Sequence, residues 1–252
     1  MIQIEKRRNG SFIKGFSSAF RAFPFISQNR MIRYLVIPVF VNIALLSAII
    51  WFVFIKTYPV LRSLLIFDQW YLHWIEYLAA PVLIILLLIA TFFTYSVTGT
   101  LLVSPFLDII SIKTEKAFGG DVPDPGFSLK AIWRMLGGMV RLLILVLILN
   151  IIILPVNLLP LGSLVYSAVS FFLTAFFCGF QFYDMPLERR ELEFREKLLV
   201  GRKFLLTVSG TGAAFMLMSF IPVIGFLGVV VSTCGATLAF RELILPAIKT
   251  GN

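Results

Sequence analysis

The sequence is short of charge, shorter still of acids, and almost without histidine and cysteine. Only 14% of its 252 residues are charged, with 13 acids against 22 lysines and arginines, one histidine and two cysteines. Each shortage excludes something. So few charges do not cover the surface of a water-soluble domain of this length. A single histidine leaves no HExxH pair and no Cys/His spacing for a metal. There is also no nucleophile elbow, and no glycine-rich phosphate loop followed by lysine. Cys178 and Cys234 lie in separate apolar stretches without CxxC spacing, so a disulfide framework has no support. No catalytic constellation, metal site or cofactor motif is legible, and the chain does not read as an enzyme. No linker rich in serine and glycine divides it, so residues 1–252 read as one membrane domain. The N-terminus does not read as a cleavable signal, because its first apolar run is too long.

What remains is apolar: 59% of residues are hydrophobic, 26 are phenylalanine, and the mean hydropathy is +0.96. The pattern predicts an all-α integral membrane fold. Tyr34–Ile55 reads as a first span and residues 76–104 as a second, each long enough to cross. Two further stretches read as proline-tipped helical hairpins, 142–180 around Pro155 and Pro160, and 204–240 around Pro222. Their limbs are short or broken. Leu142–Leu154 is one, and Phe204–Ile221, interrupted by Ser209, Gly210, Thr211 and Gly212, is another. The charge pattern fits either full or partial crossing; limb length favours hairpins that dip part-way and return. Such hairpins need neighbouring helices or subunits to cover backbone at lipid depth, so a homo-oligomer is expected. Ser11 reads as the N-cap of a short interfacial helix, residues 11–23, stopped by Pro24. Phe12, Phe16, Phe20 and Phe23 form one stripe on it. A basic helix of this kind lies flat in the headgroup layer, or else packs on its own protein.

The placement of charge predicts orientation. Lys and Arg collect on the cytoplasmic side. Seven basic residues and one acid precede or include Arg33, whereas Lys56 and Arg62 alone lie between the two spans. The N-terminus is therefore expected inside and the stretch from Lys56 to Glu76 outside, with Trp70, Tyr71, Trp74 and Tyr77 marking the far interface. His73 reads as a member of that belt. Topology and attraction to anionic lipid headgroups account for the positive charge, and no nucleic-acid partner is called for.

A few polar residues stand out against this background. Asn42 is expected to hydrogen-bond another helix. Thr91, Thr94, Tyr95, Thr98 and Ser104 largely share a face, either bonding and packing between helices or lining a wet path; the first is favoured. Ser104-Pro105 reads as the start of a new amphipathic helix running to Phe118, and Gly137-Gly138 as a bend in the helix entering the first hairpin. Asp184, at a membrane boundary, is expected to pair with Arg189 or Arg190 rather than relay protons. The best ligand candidate is Asn29-Arg-Met-Ile-Arg33. If Asn29 caps the first span, free amides of its first turn face an anion site that Arg30 and Arg33 would reinforce. The alternative is a pair of ordinary arginine anchors.

Taken in order, Arg33-Tyr-Leu-Val-Ile-Pro-Val-Phe-Val-Asn42, Ser104-Pro-Phe106, Gln181-Phe-Tyr-Asp-Met-Pro186 and Ile221-Pro222 with Cys234-Gly-Ala-Thr237 resemble the CysZ family of bacterial sulfate permeases. That family is part of the etoposide-induced-protein-like membrane domain. The resemblance runs from about Phe12 to Glu242. It implies two long transmembrane helices, two partially penetrating hairpins, oligomeric assembly and passive sulfate uptake across the bacterial inner membrane for assimilation into cysteine. It also implies a sulfate site at the family's Gly-Leu-Arg-Arg stretch, which falls on Arg30, Met31, Ile32 and Arg33. Only the last arginine is in register: Arg30 replaces the glycine and Ile32 the first arginine. The acidic pair usual after the proline-phenylalanine is reduced to Glu115, with Ile112 at the other position. A non-transporting relative of the same fold, binding lipid headgroups or a partner, is the alternative.

Overall fold

The computed structural model describes residues 3–4, 10–63, 73–119, 122 and 129–249. Its elements run α1 (Phe12–Gln28), α2 (Ile32–Trp51), a π-helical turn over Phe52–Thr57, α3 (Tyr58–Ser63) and α4 (His73–Ala117). Then follow α5 (Leu129–Ile153), a 3-10 turn over Leu154–Leu158, α6 (Gly162–Glu188), α7 (Phe194–Lys203), α8 (Leu205–Ser219) and α9 (Pro222–Ala239). A π turn, Phe240–Ile244, and a 3-10 turn, Leu245–Ala247, close the chain. β1 (Gln3–Ile4) pairs antiparallel with β2 (Ile248–Lys249). Among the described residues the fold is thus helical apart from one two-residue ladder. Trp70, Tyr71 and most of the turn-rich stretch 119–126 lie outside the described residues, as do the side chains of His73, Trp74, Lys130, Trp133 and Arg134.

The chain divides into two compact units, residues 1–35 with 107–252, and residues 36–106. In the first, four helices meet through their smallest residues. A Cβ on Gly212 of α8 would lie 1.7 Å from the Ala175 carbonyl oxygen of α6, and one on Gly179 of α6 would lie 2.0 Å from that of Val208. On the other side of α8, Gly15 and Gly210 bring α1 equally close. Residues 207–214 of α8 are buried without a break. The small residues that weakened this limb as a membrane span are therefore its contact surface, the usual way apolar helices approach where no water drives them together. Phe176, Phe180, Tyr183, Phe204 and Phe240 fill the space between α6, α8 and the chain's end.

α1 corrects the expected length and takes the alternative of packing on its own protein. It runs on to Gln28, because Ala22 and Ile26, on either side of Pro24, are both buried and packing holds the helix across the lost donor. Its Gly15, Ser18, Ala19, Ala22 and Ile26 face is packed on the protein, while Phe20 and Phe23 stay exposed. The Ser11 cap is as expected: its hydroxyl accepts from the Lys14 amide at 3.2 Å.

In the second unit, Asn42 bonds another helix as read. Its Oδ1 accepts from the Tyr95 hydroxyl at 3.2 Å, while its Nδ2 donates to the Pro38 carbonyl at 2.9 Å. Thr91 is buried and donates to the Leu87 carbonyl of its own helix at 2.7 Å. Thr94 is exposed and Thr98 half-buried. Ser104-Pro105 starts no new helix, since α4 passes straight through it. Gly137 and Gly138 sit within α5.

Five helical stretches among the described residues are long and apolar enough to cross a membrane: Ile32–Ser63, Tyr77–Tyr95, Val140–Leu158, Gly162–Glu188 and Leu227–Ala247. The limbs of the first hairpin are thus longer than the sequence suggested, and their length permits a crossing. The first limb of the second hairpin, α8, has 15 residues and extends only about 22 Å at 1.5 Å per residue.

Candidate anion site and buried charge network

The junction between α1 and α2 is built by a left-handed residue. Asn29 does not cap α2; it is the C-cap of α1, its amide donating to the Phe25 carbonyl at 3.1 Å. Arg30 then takes φ +54°, a backbone region natural to glycine and strained for arginine. The resemblance places a glycine at this position, and the backbone here is one that glycine takes without strain. The Met31 amide turns back to the Ile26 carbonyl at 2.9 Å, and the Tyr34 amide bonds the Met31 carbonyl at 3.0 Å. Met31 is buried and its amide is spent, which removes it from the expected set of anion donors. The amides of Ile32 and Arg33 remain as the first-turn donors of α2, groups that an α-helix leaves without an internal acceptor.

Arg30 and Arg33 are both exposed. The Arg33 guanidinium lies over the Tyr34 ring, 4.9 Å from its centroid, and the Lys113 ammonium of α4 lies at the same distance from the same ring. Phe25 stacks on Phe118 at 5.9 Å, which fixes the end of α1 beside the end of α4. Lys113 was not singled out from sequence. Nothing in its local spacing marks it, because the contact that brings it to Tyr34 spans most of the first span and all of the second.

Glu115, two residues on, faces elsewhere. Its carboxylate is fully buried and accepts from Arg189 Nη2 at 3.0 Å and from Arg190 Nη2, with Arg241 at 3.8 Å. Arg189 also donates to Asp108 at 2.8 Å and to Ser111 at 2.7 Å, while Ser111 and Thr237 share a 2.9 Å hydrogen bond. Burial by itself would raise the Glu115 carboxyl. Hydrogen bonds and charge from Arg190 and Arg189 outweigh it and hold the group below the usual carboxylate range. Asp184 takes neither arginine. Lys197 of α7 donates to it at 2.7 Å and also bonds Glu188, so one buried lysine ties α7 to successive turns of α6. Arg189 and Arg190 follow the end of α6 and bond Glu115 of α4 instead. The network therefore gathers Glu115 with Arg189, Arg190 and Arg241, and keeps Asp184 apart.

Basic helix junctions attached to five stretches of membrane-crossing length make this a multi-pass helical membrane protein. Residues 18–229 match the family described as Sulfate transporter CysZ/Etoposide-induced protein 2.4, and the chain belongs to that family. The match takes in the α1–α2 junction, Glu115, Asp184 and both hairpin tips.

Proposed function

We propose that the protein is a permease for sulfate or a related tetrahedral oxyanion, acting in the bacterial inner membrane and supplying sulfur assimilation. The observation that carries this reading is the α1–α2 junction. There Arg30 and Arg33 flank the first-turn amides of Ile32 and Arg33, a donor set suited to an oxyanion. Family membership makes transport the expected use of such a site. In the same reading the N-terminus is cytoplasmic, the second hairpin penetrates only part-way, and several copies assemble to cover it.

Equilibrium binding of sulfate to the purified chain tests the site. Losing a charge-assisted hydrogen bond costs about 1.5–3 kcal/mol, so Arg33→Ala should weaken sulfate by roughly ten-fold or more. Arg33→Lys should recover part of that, since lysine keeps the charge without the planar fork. Arg30→Gly keeps the left-handed turn and removes only the charge. Folded Arg33→Ala protein with parental sulfate affinity would refute this placement of the site.

A further inference from the structure

We propose that Lys113, held in place by the Tyr34 ring, is a third cation of this oxyanion site and biases it towards doubly charged anions. The inference rests on the permease reading. Lys113 and Arg33 each sit 4.9 Å from one ring centroid, so the two charges lie within twice that distance of each other. Separations of this order are not fully screened at physiological salt. Neither is in an ion pair among the described residues. The carboxylates on the same stretch of α4, Asp108 and Glu115, are turned to Arg189 and Arg190 instead. A tyrosine face attracts both cations, but it carries no net charge and leaves their repulsion standing. An anion within reach of both relieves it.

The charge of that anion matters. Coulomb energy is proportional to ligand charge, so losing one cation costs a dianion twice the free energy it costs a monoanion. Tyr34 is then a positioning residue, acting through the two side chains on its ring. Its neighbour in sequence is Arg33 itself, so the ring links the α2 charge to the α4 charge.

The test uses the full chain in phosphatidylcholine vesicles, with sulfate and nitrate as probes. Lys113→Ala should weaken sulfate on the order of ten-fold and nitrate about three-fold, the square-root relation that the charge argument requires. Tyr34→Leu should reproduce that pattern, Tyr34→Phe should stay near the parent, and Lys113→Arg should restore most of the preference. Equal losses for both anions, or none, would overturn the proposal. If Arg33→Ala loses sulfate while Lys113→Ala does not, Lys113 is excluded and the permease reading stands. If the parent itself ignores sulfate, both fall. Adding phosphatidylglycerol separates a headgroup from a free anion. A Lys113→Ala effect confined to the lipid dependence, at unchanged sulfate affinity, would make Lys113 an anchor and end the proposal.

Discussion

Glu115 is where three parts of the chain meet: the end of α4, the arginines that follow α6, and Arg241 after α9. A fully buried carboxylate is tolerated because two arginines donate to it. Removing it leaves Arg189 with Asp108 alone and takes from Arg190 the carboxylate it pairs with among the described residues, a loss of up to about 3–5 kcal/mol for a buried pair. Glu115→Ala should therefore lower the melting temperature in detergent sharply, and Glu115→Gln less, since the amide still accepts hydrogen bonds. The carboxyl is held below its usual range, so its stabilising contribution is present above the unfolded value. It disappears as pH falls through the folded one. The parent should lose stability on acidification more steeply than Glu115→Gln. Parallel melting curves against pH would show that Glu115 does not carry this linkage. At this scale the sequence was uneven. Asn42 was legible because an amide in an apolar setting demands a partner, whereas Glu115 came to notice only through the family resemblance. The partners themselves were not: Asp184 takes Lys197, and Lys113 reaches Tyr34, through folding that brings distant segments together.

Among the elements, α8 explains most about why the first unit holds together. Its glycines leave no room between backbones, so added side-chain volume separates helices instead of filling a gap. Gly212→Val should cost at least about 3 kcal/mol, the upper part of the range for overpacking. Gly137 of α5 has nothing within 4 Å of a Cβ, and Gly137→Ala should be neutral or slightly stabilising by helix propensity. Thermal unfolding of the two variants side by side checks this; similar melts would mean that α6 and α8 do not pack at the separation described. Hydropathy placed the first two expected spans on helices of crossing length, since those runs are long and unbroken, but read the limbs of the first hairpin as too short. It misjudged helix extents at Pro24 and Pro105, where packing on both sides carries a helix across a missing donor. It also took the small residues of α8 for weakness, because hydropathy values a side chain by its transfer to lipid and not by what its absence admits.

For the whole molecule, the burial of the span-length stretches differs widely. Only 11% of the Ile32–Ser63 window and 6% of the Val140–Leu158 window is buried, against 78% for Leu227–Ala247. The last is interior to its unit, while the others present apolar surface that lipid or further copies of the chain must cover. The proposed permease asks such an assembly to pass a dianion, beginning at Arg30 and Arg33 where α2 starts. Radiolabelled sulfate flux into vesicles containing the purified chain tests that claim most directly. The parent should show saturable uptake that selenate competes, and the double variant Arg30→Gly/Arg33→Ala, matched for folding and insertion, should lose at least ten-fold of it, the equivalent of one charge-assisted hydrogen bond. Uptake by the double variant at the parental rate, or a parent no more permeable than empty vesicles, would contradict the account.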